Sequence, residues 1–474
     1  MHVLKFLKAR ANVGLLAALC QSRVLVLVSA LLVFASLIVG GCGVYVPRTV
    51  SLWADVHPQG WVVFTGSRAP FPPPQKPQDL TSKILLFHPA LGVTLSVIED
   101  PSEDLSWPRW GADDVLYVIG DSRKIYRIPM NFDDIERLVY DPSLLLQLKP
   151  LSLHNTQRLW ADFKGSISAL APSPHGRYMA FLRESRGYDF QQFTVVILDL
   201  EQDPPKEIAA LPTVYLTRVN WTADSKALLL ARQKPERPVQ MGNQQYPVGM
   251  IVRYDLATAE ETVLVRDIWF YGVPQDSSYP ESVYGPGPLA LSPDGQTLYY
   301  TNLMTLSPRT AQDLRLGLYK VELTSGARQL LFELPQGEAV HELAVSPDGQ
   351  RVAFTLVSYR MGIEFFLQST LYLATEDGVK PLAQQTNGWL FPLWLDDAHL
   401  VYVQFRLEME DEKLPMGVQP ALWVQDVETG ERANYLPMLT MQLQLDALRQ
   451  AVRHLGERVR KLEQALQELH NKDK

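Results

Sequence analysis

Cysteine is almost absent from this chain. There are two in 474 residues, Cys20 and Cys42, and none follows position 42. Everything downstream must fold without an internal disulfide, on packing alone. Basic charge is also scarce. Of 44 Lys and Arg, four (Lys5, Lys8, Arg10, Arg23) precede Cys42, where no acid occurs; the other 40 face 52 Asp and Glu, a balance of −12. An acidic body repels a phosphate backbone, so nucleic acid is not an expected partner. The common signatures of chemistry are missing too. There is no Gly-x-Ser-x-Gly elbow, no His-Glu-x-x-His and no phosphate-cradling loop. Nine histidines are scattered and none pairs at ligand spacing; His57, His88 and His175 read as turn residues. The acidic run Glu408–Lys413 lacks the alternating acids and closing Glu of a calcium loop. No catalytic residue, metal or cofactor is expected, and the chain is not expected to be an enzyme.

One long apolar run is present. Residues 24–41, "VLVLVSALLVFASLIVGG", are eighteen residues without a charge. As a helix this run is roughly 27 Å long, close to the thickness of a bilayer's hydrocarbon core. Basic residues precede it, so the N-terminus stays inside and the remainder is exported. The run ends in Val39-Gly40-Gly41-Cys42, which resembles the lipobox of bacterial lipoproteins: a branched apolar residue, two small residues, then the cysteine that takes the lipid. A plain signal-anchor helix with an incidental cysteine is the alternative. Either reading tethers the chain to a membrane on its extracytoplasmic side, in a periplasm or at a cell surface.

The other end is equally patterned. Apolar residues at Met441, Leu445, Leu448, Val452, Leu455, Val459, Leu462, Leu466 and Leu469 alternate steps of four and three. This is a heptad seam, and branched a positions with leucine at d favour two parallel strands of coiled coil. A homo-oligomer through this helix is expected; packing back onto the chain's own surface is the alternative. The chain thus divides into 1–42, a signal peptide or anchor; 43–436, the body; and 437–474, a coiled-coil helix.

The body repeats itself. "LALSPDGQTLYYTN" from Leu289 returns as "LAVSPDGQRVAFTL" from Leu343. Degraded copies begin at Leu52, Trp107, Leu170, Val219 and Pro392, with turn positions near Gly60, Asp114, Gly176, Ser225, Gly295, Gly349 and Ala398. Pro and Asp start such turns, and Gly takes the positive φ that closes them. A second motif alternates with the first: a strand ending in an acid and an apolar residue, a short turn, and another strand. "LYKVELTSGARQLLF" from Leu318 and "LWVQDVETGERANYL" from Leu422 are clear copies; "IYRIPMNFDDIERLV" from Ile125 is a loose one. Seven copies of each half predict an all-β fold, a seven-bladed β-propeller of four-stranded blades. One such sheet cannot bury both faces alone, and packing blade on blade in a ring does so.

The pattern Ser-Pro-Asp-Gly, apolar strand, Leu-Tyr, Asp-Leu, Ser-Gly resembles the periplasmic TolB-type propeller repeat, a WD-like repeat. The same repeat occurs in the propeller domains of prolyl-oligopeptidase-type peptidases. The resemblance implies the fold and is nearly silent about function.

Connection lengths supply the functional clue. Turns between strands one and two, and between three and four, read as short. Connections between strands two and three read as long loops: 66–82, 184–192, 233–249, 303–317, 357–370 and 405–420; so do two blade-to-blade links, 140–165 and 266–288. Both long classes emerge on one face, and elaborated loops on a rigid scaffold carry function. Aromatics and arginines crowd them, and the candidate partner-binding residues are Tyr188, Phe190, Trp269, Tyr271, Tyr359, Arg360 and Phe366. The expected role is a lipid-anchored scaffold in the cell envelope that binds a protein. The rival is an enzyme or carbohydrate-binding propeller with carboxylates such as Asp189, Asp276 or Glu364 at the channel mouth.

Overall fold

A turn of four or five residues between two apolar stretches can only return the chain as an antiparallel pair. That pair recurs through the whole body. The structure, a computed structural model, describes residues 54–68, 81–89, 93–100, 103, 105–133, 135, 157–161, 165–186, 191–214, 218–241, 244–269, 287–304, 315–336, 338–361, 365–386, 388–410 and 414–435. The run 24–41, Cys42 and the heptad positions Leu445, Leu448, Val452, Leu455, Val459, Leu462, Leu466 and Leu469 lie outside the described residues. No helix among the described residues is long and apolar enough to cross a membrane.

Twenty-eight strands are seen in the described residues. Blade one holds β1 (Ala54–Val56), β2 (Val62–Arg68), β3 (Thr81–His88) and β4 (Val93–Asp100). Blade two holds β5 (Leu105–Trp110), β6 (Val115–Gly120), β7 (Lys124–Pro129) and β8 (Gln157–Ala161). Blade three is β9 (Ser166–Pro172), β10 (Tyr178–Arg186), β11 (Gln191–Asp199) and β12 (Lys206–Thr213). Blade four is β13 (Asn220–Trp221), β14 (Ala227–Met241), β15 (Gln244–Asp255) and β16 (Glu261–Trp269). Blade five has β17 (Ala290–Leu291), β18 (Thr297–Leu303), β19 (Leu316–Glu322) and β20 (Arg328–Glu333). Blade six has β21 (Glu338–Val345), β22 (Val352–Met361), β23 (Phe365–Thr375) and β24 (Gly378–Thr386). Blade seven has β25 (Gly388–Trp394), β26 (His399–Glu410), β27 (Leu414–Asp426) and β28 (Arg432–Asn434).

Every sheet is antiparallel and uses four consecutive strands in chain order. The seven-bladed reading is therefore met by the strand pairing itself. The second strand of each blade is sandwiched on both faces, which explains its unbroken apolar sequence: Val115–Gly120 on β6 is buried throughout. Apolar clusters bridge the blades. One joins blades one and two through Trp61, Ile84, Leu116 and Tyr126. A larger one runs through blades two to five, and two more join five to six and six to seven. Among the described residues no strand is shared between the first and last blades. The ring closes instead by packing Ala54, Phe64 and Phe87 against Leu393, Val401, Leu422 and Val424. Just past β28, Tyr435 lays its ring on Phe87, with centroids 4.9 Å apart. Burying each such side chain contributes about 1.5–3 kcal/mol.

The repeated turn has its own chemistry. In the Ser-Pro-Asp-Gly copies, Ser292 and Ser346 accept the backbone N–H of Thr297 and Arg351 at 2.8 and 2.9 Å. Ser173 and Thr222 do the same for Tyr178 and Ala227, both at 3.0 Å. Asp294 and Asp348 each accept an N–H two residues on, at 3.0 Å. Six of the seven expected turn positions have a positive φ, including the non-glycines Asp114 (56°) and Ser225 (57°). Ala398 does not; there Asp396 accepts the N–H groups of both Ala398 and His399 at 2.8 Å and closes the turn with its side chain.

These turns also touch one another. His57 Nε2 lies 3.0 Å from Asp114 Oδ1, tying blade one to two. The N–H of His175 donates to Ser225 Oγ at 2.9 Å, tying three to four. Asp348 donates its N–H to Asp397 Oδ1 at 2.8 Å, and Arg351 donates to the Asp397 carbonyl at 2.7 Å, tying six to seven. Repetition at this spacing therefore does two jobs. It folds each blade, and it brings equivalent turns together around one face.

Two sequence expectations are corrected here. The fourth strand of blade two is β8, not the stretch around Ile135, so the connection between its strands three and four is long. Apolar Phe132 and Ile135 imitated a strand because they are buried, but they pack under Trp61, Trp110 and Tyr126. Ile135 N–H donates to the Asn131 carbonyl at 3.1 Å, a helical turn. The turn face is thus not uniformly trimmed. The second correction concerns the long loops between strands two and three, four of which are paired strands.

Candidate functional site

Strands two and three of blades three, four, six and seven outrun their neighbours. In blade four, β14 pairs with β15 as far as Met241 opposite Gln244. The inner strand β13 meets only Leu228 and Leu229, and β16 reaches no further than Trp269 opposite Val248. Beyond Lys234 and Val248 the hairpin is a two-stranded ribbon. Blade seven repeats this: Leu407–Glu410 pairs with Leu414–Val418, past the last β25 pair, Gly388 with Arg406. Blade six extends Tyr359–Met361 against Phe365–Leu367. Blade three adds Ser185 and Arg186 against Gln192 and Gln191. All four ribbons leave the face opposite the turns. The sequence carried a signal for the longest: Gly242-Asn243 stands between paired residues, a two-residue hairpin composition.

The predicted binding residues fall unevenly on this geometry. Tyr359, Arg360 and Phe366 lie on the blade-six ribbon, with Arg360 opposite Phe366 and Tyr359 opposite Leu367. Trp269 ends β16. Tyr188, Phe190 and Tyr271 lie outside the described residues, as do Asp189, Asp276 and Glu364, proposed for a channel-mouth site.

A second constellation sits on the axis, lined by the first strand of each blade. Among the described residues four of the seven copies place a charge in or just before this strand. Asp55 is on β1, Arg109 on β5, Glu342 on β21, and Arg218 precedes β13 by two residues. Arg109 donates to the Ala54 carbonyl at 2.7 Å, leaving its guanidinium 3.9 Å from Asp55. Asp55 instead accepts the Trp110 N–H at 2.9 Å. Arg218 stands 3.6 Å from Glu342 Oε2. Both ion pairs are longer than a hydrogen bond. Burial pulls the Arg109 guanidinium below its usual range, opposed by Asp55. Glu342 is 5% exposed, and its Oε2 has no hydrogen-bond partner among the described residues. Neighbouring His341 also lacks a partner at Nδ1, and burial lowers its pKa against the pull of Glu342.

Beside this cluster lies a cavity of about 280 Å³. Asp55, Arg218 and Asn220 supply its polar wall; Val56, Leu289, Leu343, Leu393 and Trp394 supply the apolar one. Pro347 of the blade-six turn also lines it, which sets the cavity toward the turn end of the axis. Sequence reasoning missed this site. Its only signal was charge inside the first strand, as in Arg109 of "WPRW" and Glu342 of "HELAV". Among the described residues no group of three His, Cys, Asp or Glu is placed to hold a metal.

No protein-family model matches the chain, and no curated protein matches it. Solved structures do. A protein assigned as TolB from Agrobacterium tumefaciens is 17% identical, with a TM-score of 0.38 over 64% of this chain and 89% of that one. The β-propeller domain of the Trilobed protease from Pyrococcus furiosus, described as having an open velcro topology, is 13% identical over 81% of this chain and 97% of its own, with a TM-score of 0.47. Pyrococcus horikoshii acylaminoacyl peptidase is 13% identical over 82% of this chain, with a TM-score of 0.49. The chain spans 54% of the length of that peptidase. These likenesses concern the fold. They also correct one expectation: that the chain is not an enzyme does not stand, because peptidases are among the proteins matched.

Proposed function

We propose that this chain is a cell-envelope scaffold that binds a protein through the ribbon-bearing face of its propeller. The ribbons carry the reading. An isolated two-stranded hairpin is marginal in water, because it presents unpaired backbone edges and has no third strand. Ribbons on four blades, raised on a ring that is locked at its other face, offer those edges to an extended segment of another protein. The leader and the C-terminal heptads complete the proposal. Cys42 tethers the propeller by lipid outside the cytoplasm, and residues 441–474 join copies so that several ribbon faces act together. Loss of metabolic lipid labelling in Cys42→Ala tests the tether. Light scattering before and after removal of 441–474 tests the oligomer.

The deciding experiment shortens the ribbons of the full-length chain. Residues 235–247 are replaced by Asn-Gly between the register partners Lys234 and Val248, and 408–417 likewise between Leu407 and Val418. Crosslinking in envelope extract is expected to capture a partner with the parent chain and not with the shortened one, at an unchanged melting temperature. Equal capture of the same protein by both would remove the ribbons from the site.

A further inference from the structure

We infer that the axial cavity binds a small zwitterion of the α-amino-acid class. The inference does not rest on the ribbons; it comes from two ion pairs that are both incompletely made. Taking a guanidinium and a carboxylate out of water is costly, and close contact is what offsets the cost. Here Arg218 stops 3.6 Å from Glu342, and Arg109 stops 3.9 Å from Asp55. Arg109 spends its short contact on a backbone carbonyl, and Asp55 one of its own on a backbone N–H. Glu342, which holds Arg218 from behind the cavity wall, is left nine-tenths buried, with one oxygen accepting no hydrogen bond among the described residues.

A ligand carrying both charges completes this arrangement. Its ammonium donates to Asp55, which lines the cavity and stands 3.9 Å from Arg109. Its carboxylate takes the forked donors of Arg218, a bidentate geometry that guanidinium favours. A purely anionic ligand would leave Asp55 without a cation and add repulsion. A purely cationic one would displace Arg218 without rehousing it. The cavity of about 280 Å³ suits a molecule of that size, and Leu289, Leu343 and Trp394 furnish an apolar wall for its side chain.

Trp394 lines the cavity, so its fluorescence reports occupancy, with calorimetry as the second readout. The full-length chain is titrated with free L-amino acids, then with an amine and a carboxylate matched in carbon skeleton to the best of them. At least one amino acid is expected to bind saturably in the millimolar range or tighter, with both single-charge analogues about tenfold weaker or worse. Asp55→Asn and Arg218→Gln are each expected to weaken the amino acid about tenfold while far-UV circular dichroism and melting stay near those of the parent. If a variant melts early, Asn220→Ala serves as the milder probe of the same wall. No saturable binding by any amino acid overturns the inference, and so does a carboxylate analogue that binds as well as the amino acid.

Discussion

The two faces of this propeller are built by opposite means. On the turn face, left-handed residues, side-chain caps and blade-to-blade hydrogen bonds hold short connections together. Gly176 shows how tight this is: a Cβ there would stand 2.9 Å from the Cβ of Ala112 in the next blade. On the ribbon face the second and third strands of four blades run past the sheet that made them and, among the described residues, have no lateral partners there. One face spends its residues on fixing geometry, and the other on presenting unpaired edges. A mutation should therefore cost stability or binding according to its face, and variants that violate that division would break the comparison.

The largest stability loss is expected in the shared body beneath both faces. Phe181 on β10 is fully buried in the cluster that runs through blades two to five. Phe181→Ala should cost about 3–5 kcal/mol, transfer and cavity together. Denaturant unfolding measures this, and a loss below about 1 kcal/mol would mean the blades are not close-packed. Next comes the turn face. Gly176 and Gly295 both have positive φ, 75° and 71°, so alanine at either meets a backbone cost of about 1–2 kcal/mol. Only Gly176 adds the collision with Ala112; around Gly295 nothing lies within 4 Å. Gly176→Ala should exceed Gly295→Ala by about 1–3 kcal/mol. Equal losses would show that the turns do not lock against one another.

Acid should act on the scaffold as well. Burial holds both His57 and His341 below the ordinary value of 6.5. His57 accepts the Gln59 N–H at Nδ1 at 3.2 Å, which leaves Nε2–H to donate to Asp114. The folded state thus resists protonation that the unfolded chain accepts. Stability is full above pH 6.5 and falls as pH drops below it, until the folded histidines themselves protonate. His341→Phe should flatten this slope in unfolding midpoints taken from pH 7 to pH 5. An unchanged slope would free His341 of that role.

What the sequence disclosed tracks what is local. Seven first turns were readable because each is a few residues with one chemistry, and non-glycines at Asp114 and Ser225 still take the left-handed position. Blade two was misread because buried Phe132 and Ile135 mimic a strand locally, while β8 lies beyond a long connection. The ribbons were misread as loops because runs such as Gln233–Gln240 have no apolar alternation, so the periodicity that marks a strand is missing. The axial cluster was invisible for a different reason. Asp55, Arg109, Arg218 and Glu342 are ordinary charges far apart in the chain, and only the closed ring brings them to one axis. Of the residues expected to bind, Tyr359, Arg360 and Phe366 share a ribbon because residues flanking one hairpin tip are neighbours by construction.

The smallest stability effect should come from the ribbons. Between Lys234 and Val239 the register shifts, so the blade-four ribbon is already partly uncoupled from the sheet. Among the described residues no strand of the blade flanks it past Trp269. Replacing 235–247 with Asn-Gly removes paired strand but also removes the entropy of closing a longer loop, and those contributions oppose each other. The unfolding free energy should change by no more than about 0.5 kcal/mol. The same change in one ribbon at a time, in blade four and then in blade seven, separates two arrangements. If the partner lies across the whole face, each single shortening weakens capture and the double change abolishes it. If one ribbon supplies the whole edge, its loss alone abolishes capture and the other is silent. A stability loss comparable to Phe181→Ala would mean that the ribbon packs onto its own scaffold, and the division between a locked face and a presenting face would fail.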